Sequence, residues 1–315
     1  MPATTPHATR LAPSPTGALH LGNARTFVVN WILARRHGWS VLLRIEDLDG
    51  PRVKPEALEQ TLHVLDWLGL DWDRGPIVQS EDLEPHAQAM DQLARSAWAY
   101  PCNLSRTEIA AAASAPNAGD APVPITTRPR QLQPARFDDR QTNWRFATPE
   151  RDIRIDDTFA GRVTINPAKD AGDFVIWTKR GTPAYQLAVV VDDARQGITH
   201  VVRGDDLLPS AARQVLLYEA LGLGPIPTYT HLPLVLGPDG RRLAKRHGDT
   251  RLTAYQQQGV PVERVLGLLA HWSIPEFPRR PIDLPEFAQR LQLDTMPREP
   301  VTCTAEDDAW LLGRS

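Results

Sequence analysis

Apolar residues early in the chain recur with two different periods. Phe27, Val28, Trp31 and Ile32 fall at helical spacing, and Gly38 stands where a C-terminal cap belongs, which predicts a helix ending there. Ser40–Ile45, reading SVLLRI, alternates and is rich in Val and Leu, as a buried strand would be. Residues 56–68 return to the helical period through Leu58, Leu62, Leu65 and Trp67, and residues 85–98 predict another helix. A short strand at 10–12 precedes the first helix. Strands alternating with helices at this spacing predict parallel βαβ units, an α/β Rossmann-like half.

The pattern breaks at residues 110–142. The stretch AAAASAPNAGDAPVPITTRPRQLQP has no period and too little apolar content for a regular element, which predicts a long, partly mobile insertion. Beyond it, short strands at 143–147, 153–156, 162–165 and 173–178 predict a small α+β insertion packed on the Rossmann-like half. A strand at 199–203 and a helix at 210–221 return to that half. Residues 232–236 lead into the turn Gly237-Pro238-Asp239-Gly240, and the last helices fall at 253–257, 262–272 and 284–291. The expected organisation is a flexible start (1–9), a first Rossmann-like half (10–100), the insertion (101–180), a second half (181–248) and a short helical C-terminal part (249–315).

The chemistry begins at residues 10–23, RLAPSPTGALHLGN. Pro13, Pro15 and Gly17 lie too close together for a helix or a central strand, so they mark a loop leaving the first strand. His20, Gly22 and Asn23 then fall at a helix N-terminus, where free backbone N–H groups and the helix dipole favour a phosphate. Gly22 would let a nucleotide approach the backbone. Taken alone, H-x-G-N fits a polar surface turn with a capping Asn better than a phosphate site. The chain contains no G-x-G-x-x-G, so a dinucleotide dehydrogenase has no support.

Composition narrows the class without naming a partner. The 315 residues are 42% hydrophobic with 29 Pro, and two cysteines, Cys102 and Cys303, make no disulfide framework. Met1 to Thr9 lacks the basic-then-apolar pattern of a signal peptide, and the aliphatic run 187–191 is far short of the ~18 residues of a membrane span. These features predict a soluble cytoplasmic chain without a membrane partner. A net charge of −3 does not announce nucleic-acid binding, but phosphate contacts need only a local basic face. Arg241, Arg242, Lys245 and Arg246 form one such cluster, and Arg128, Arg130, Arg136 and Arg140 another.

The motifs SPTG, HLGN, LRIEDLDGPR, YQLAVVVDD, VRGDDLL and RLAKR follow one another in that order between residues 10 and 248. This series resembles the catalytic core of glutamyl-tRNA synthetases, class I aminoacyl-tRNA synthetases, and in particular their short paralogue that glutamylates queuosine in tRNA(Asp). The resemblance implies a class I core that activates L-glutamate with ATP and Mg²⁺. It assigns His20, Asn23 and Lys245 to catalysis, and His20, Gly22, Asn23, Arg242 and Lys245 to ATP. RLAKR matches the mobile class I loop, with Arg242 in place of its first lysine and Ala244 in place of its serine. Asn23 stands where the family usually has His, keeping a donor but not a charge. Arg10 and Arg203 would hold the glutamate γ-carboxylate, since the arginine fork binds two oxygens. Glu46 would take the ammonium, Tyr185 would close the pocket, and backbone from Leu11, Ala12, Pro13 and Ser14 would line it.

The paralogue's zinc site is a C-x-C followed by Y-x-x-x-C. Here Cys102 is followed by Asn103-Leu104, and no Cys, His or Tyr occurs between Asn103 and Phe146. Structural zinc needs about four N or S ligands, so no zinc is expected, and Cys102 is expected to be a small buried hydrophobe. Only 70 residues follow Lys245, too few for the helical half with which a full glutamyl-tRNA synthetase reads an anticodon. The expectation is therefore a monomer that transfers glutamate to queuosine at the wobble position of tRNA(Asp). A shortened enzyme charging a tRNA 3′ end and a non-catalytic regulatory relative stay open at this point.

Overall fold

The computed structural model describes residues 7–15, 19–48, 55–102, 128–243 and 250–314. The first half runs β1 (Ala8–Leu11), α1 (Leu21–His37), β2 (Ser40–Ile45), α2 (Pro55–Trp67), β3 (Arg74–Val78), α3 (Glu84–Arg95) and β4 (Ala99–Pro101). The insertion follows with β5 (Trp144–Phe146), β6 (Ile153–Asp157), β7 (Gly161–Ile165), α4 (Pro167–Asp170), β8 (Phe174–Thr178) and β9 (Thr182–Pro183). The second half has α5 (Tyr185–Arg195), β10 (His200–Gly204), α6 (Leu208–Leu221), β11 (Thr228–Leu232) and β12 (Val235–Leu236). The chain then continues through α7 (Leu252–Gln257), α8 (Val262–His271), α9 (Leu284–Arg290), β13 (Val301–Thr302) and α10 (Ala305–Leu311).

Strands β1, β2 and β3 form a parallel sheet in that order, and β10 pairs in parallel with β11. The two sheets abut at β1 and β10: Thr199 N–H donates to the Ala8 carbonyl at 2.9 Å, and Ala8 N–H to Thr199 Oγ1 at 2.8 Å. The strand order therefore reverses between β1 and β10, as at the switch point of a doubly wound sheet, where a crevice opens at the carboxyl ends of the strands. Strand alternation divides the interior into two cores. Val41, Leu43 and Ile45 join Leu11, Val28, Ile32, Val265, Leu269 and Phe287 on one face. Leu42 faces the other way, with Met90, Leu93, Leu187, Val201 and Leu216. The last segment returns to the first core and pairs β13 with β12, Val235 opposite Val301.

The α1 cap is as predicted: Gly38 has φ +67° and its N–H closes on the Ala34 carbonyl. The buried face of α1 is broader than the predicted one. Ala24, Val28, Ile32 and Leu33 are buried while Phe27 and Trp31 are only half-buried, and the polar Arg25 and Asn30 go inside. Arg25 reaches the Pro233 and Trp272 carbonyls and Ser273 Oγ, so buried acceptors satisfy its guanidinium. Several elements have no counterpart in the sequence reading, among them β3, α5, β11 and α10. β3 contains Gly75 and Pro76 and is largely exposed, so it carries no alternating apolar pattern. Of the predicted insertion, residues 110–127 lie outside the described residues; residues 128–142 form no regular element, as expected, and are mostly exposed but anchored at two points. Phe137 is buried with its ring edge-on to Trp144 and Trp177, and Arg128 pairs with Asp173. Cys102 is buried beside Tyr100, Ala147 and Leu132, as expected of a small hydrophobe. Among the described residues, no helix is long and apolar enough to cross a membrane.

Candidate active site

A cavity of about 730 Å³ opens at the carboxyl ends of the parallel strands. The loop after β1 contributes Ala12, Pro13 and Ser14, the end of β2 contributes Glu46, and β10 with its following turn contributes Arg203, Gly204 and Asp206. From the α1 side come His20, Gly22, Asn23 and Thr26, and Tyr185 stands at the first position of α5. Arg10, Arg242, Leu243, Thr250 and Arg251 complete the wall. Residues far apart in sequence thus share one space.

Leu11 does not line it. Alternation along β1 sends Arg10 toward α5 and Leu11 to the opposite face, where it is wholly buried in the first core. Lys245 lies outside the described residues, between Leu243 and Thr250, which both line the cavity.

His20 is the N-cap of α1. Its Nδ1 accepts from Gly22 N–H at 3.1 Å, so the ring proton sits on Nε2. Gly22 eases this approach, since a Cβ there would sit a tight 3.1 Å from the His20 ring. The helix end differs from the expectation of free N–H groups. The Leu21 N–H is taken by the Thr250 carbonyl and that of Gly22 by His20. An anion at this end would therefore meet side-chain donors (His20 Nε2, Asn23, Arg242) rather than the first backbone amides. The Leu252 N–H bonds the Leu19 carbonyl, which fastens the start of α7 beside His20.

Burial, reinforced by nearby Arg242, pushes the His20 imidazole down to about 4 from its ordinary 6.5. The ring is neutral at physiological pH. Between pH 6.5 and 4 the unfolded chain binds a proton that the folded chain does not, so stability falls as pH is lowered through that window. His20→Asn keeps a capping acceptor and removes the titration. Its stability is expected to fall less than wild type from pH 7 to pH 4, measured as urea midpoints at matched pH values.

The charged floor is a connected set. Arg44 on β2 is fully buried and donates to Asp193 Oδ1 at 2.7 Å, to Gln196 Oε1 at 2.8 Å and to Glu46 Oε1 at 3.1 Å. Arg10 Nε donates to the same Asp193 oxygen at 3.3 Å. Burial raises the Glu46 carboxyl above the ordinary carboxylate range, against the pull of Arg44 and Arg10. Arg203 donates from Nε to His231 Nε2 at 3.0 Å and from Nη2 to the Leu207 carbonyl at 3.3 Å, and its guanidinium lies 5.3 Å from the Tyr229 ring centre. Its Nη1 has no hydrogen-bond partner among the described residues. At the cavity mouth Arg242 pairs with Asp206 at 2.6 Å. The arrangement offers two cations and one acid to a small zwitterion with an acidic side chain, next to a helix end bearing neutral His20.

Asp193 and Asp206 lie within the motifs YQLAVVVDD and VRGDDLL, yet nothing in those motifs marks their partners. Arg44 was likewise visible only as part of LRIED. Asp157 and His231, which sit behind Arg203, carried no local signal at all. Among the described residues no group of three or more His, Cys, Asp or Glu is placed to hold a metal ion.

Comparison with known proteins agrees with this architecture. Residues 7–297 match the family model for class I tRNA synthetases (E and Q), catalytic domain. The chain is 45% identical to the glutamyl-Q tRNA(Asp) synthetase of Symbiobacterium thermophilum, over 96% of this chain and 98% of that protein. It is 49% identical to the protein of the same name from Rhodopirellula baltica, over 82% of each. Among solved structures, a glutamate tRNA ligase from Elizabethkingia meningosepticum in complex with its amino acid superposes with a TM-score of 0.80 at 28% identity, covering 98% of this chain and 69% of that one. The chain belongs to the class I tRNA synthetases of the E and Q type, a family of ATP-using ligases, and stands there with the glutamyl-Q tRNA(Asp) synthetases.

Proposed function

We propose that this cavity activates L-glutamate with ATP in the absence of tRNA and that the enzyme then transfers the glutamyl group to queuosine at the wobble position of tRNA(Asp). In the first step a glutamate α-carboxylate oxygen attacks the α-phosphorus of ATP, giving glutamyl-AMP and pyrophosphate. In the second, a hydroxyl of the modified base attacks the glutamyl carbonyl, loses its proton and expels AMP. Arg10 and Arg203 hold the γ-carboxylate, Glu46 takes the ammonium, and Tyr185 with the 12–14 loop encloses the amino acid. His20 Nε2 and Asn23 donate to ATP beside Gly22, and Arg242 and Lys245 stabilise charge building on the pyrophosphate. The donor set fits ATP. Mg²⁺ would accompany it on the phosphates, neutralising charge there.

The reading rests on one observation: Arg10, Glu46, Arg203 and His20 line a single cavity, with Arg203 Nη1 left without a partner. A buried guanidinium donor is costly to leave unpaired, and a carboxylate satisfies it. The identity to proteins named glutamyl-Q tRNA(Asp) synthetase, 45% and 49%, supports queuosine as the acceptor over a tRNA 3′ end. The test is glutamate-dependent ATP–pyrophosphate exchange without tRNA, followed by transfer of labelled glutamate to tRNA(Asp) with and without queuosine. Exchange without tRNA and labelling only of the queuosine-containing tRNA are expected. A glutamyl ester on the terminal adenosine would favour the shortened charging enzyme. Absent exchange under all conditions would favour a non-catalytic relative.

A further inference from the structure

We infer that Asp157 and His231 form a positioning relay that fixes the orientation and donor pattern of Arg203 and thereby sets affinity for the acidic side chain of the amino acid, an inference that rests on reading Arg203 as the carboxylate anchor. The relay is a product of register. Strands β10 and β11 run parallel with Arg203 opposite His231, so the two side chains leave the sheet on the same face. His231 Nε2 accepts from Arg203 Nε at 3.0 Å, and its Nδ1 lies 2.7 Å from Asp157 Oδ2. The side chains of His231 and Asp157 are completely buried.

One protonation pattern satisfies all three groups. An arginine Nε always carries its hydrogen, so His231 Nε2 must present a lone pair. The ring proton is then on Nδ1, donated to the carboxylate, which holds the imidazole in that tautomer. Burial holds His231 below its ordinary value against the pull of Asp157, and Arg203 beside it also acts downward, so the ring stays neutral. Asp157 is itself fixed at the end of β6, where Oδ1 accepts from Phe159 N–H at 2.9 Å and Ala160 N–H at 2.7 Å, and the His231 N–H bonds the same carboxylate. With Nε on His231 and Nη2 on the Leu207 carbonyl, the guanidinium plane is pinned and Nη1 remains for a ligand. Pinning the fork in advance removes the entropy that binding would otherwise cost. None of these residues needs to touch the substrate except Arg203.

Asp157→Asn tests the relay with little change of shape. The three backbone N–H donors would keep the amide oxygen on their side, which turns the amide NH₂ toward His231 Nδ1. Two donors cannot face each other, so the imidazole must move its proton to Nε2, and Nε2 then opposes the Arg203 Nε–H. The expected result in tRNA-free pyrophosphate exchange is a glutamate KM raised about tenfold, the size of one charge-assisted hydrogen bond. The ATP KM should change little. His231→Leu should raise the glutamate KM comparably. His231→Gln can accept from Arg203 through Oε1 and donate to Asp157 through Nε2, so it should stay within about threefold of wild type. The relay is overturned if Arg203→Ala raises the glutamate KM while Asp157→Asn and His231→Leu leave it alone, and equally if the ATP and glutamate KM rise together with loss of melting temperature and His231→Gln fails to restore them. An unchanged glutamate KM in Arg203→Ala would instead overturn the carboxylate reading beneath it.

Discussion

Arg203→Ala is expected to raise the glutamate KM in pyrophosphate exchange about a hundredfold while leaving the ATP KM nearly constant. A hundredfold corresponds to about 2.8 kcal/mol, within the ~2–5 kcal/mol lost when one member of a buried, hydrogen-bonded charge pair is truncated. The effect should fall on glutamate alone, because Arg203 bonds His231 and Leu207 and none of its hydrogen bonds goes to His20, Gly22 or Asn23. Arg203→Lys should recover little. An ammonium is a point charge, cannot place two parallel N–H groups on a carboxylate, and has no Nε to meet His231. The binding step should also depend on pH. Glu46 titrates above the ordinary carboxylate range, so lowering the pH protonates it sooner than an exposed glutamate, removes the counter-charge for the ammonium and raises the glutamate KM. An assay in which Arg203→Ala and Arg203→Lys both keep the wild-type glutamate KM would sink the carboxylate assignment.

The elements read well where their cause is local. Ser40–Ile45 is bounded by the chain's own Val/Leu run and appears with those limits. α1 ends at Gly38 because only an αL residue closes that cap without strain. The cavity residues were legible as motifs because each sits at the carboxyl end of a parallel strand or at a helix start, and topology gathers those ends. What escaped is set by distance in sequence. His231 and Asp157 are 74 residues apart and meet because β11 lies against β10 and the β6 end lies against β11. No pattern within either segment marks them. The loose appearance of 128–142 had a related cause: Phe137 is one aromatic in a polar stretch, and its burial depends on Trp144 and Trp177 from the sheet beyond. Leu11 is expected to line the site through its backbone; its side chain leaves β1 on the face opposite Arg10 and goes into the first core.

The charged floor predicts a second large effect, this time on stability. Arg44→Met is expected to destabilise the fold by about 3–5 kcal/mol, the cost of stripping a buried ion pair of one partner. Arg44 is the hinge of its set: its guanidinium serves both Asp193, which is buried away from water, and Glu46, which faces the cavity. Asp193 would keep only the longer contact from Arg10, at 3.3 Å. Glu46 would lose the cation that opposes its burial, so its carboxyl would climb further and be neutral over more of the working range. Stability and binding can then be separated with one more substitution. Arg44→Met combined with Glu46→Gln removes the orphaned charge and should regain part of the lost melting temperature. It should not regain glutamate binding, because the counter-charge for the ammonium is gone. Urea midpoints and exchange KM values on the single and double variants would check this, and a double variant that recovers both would show that Glu46 is structural and the ammonium is held elsewhere.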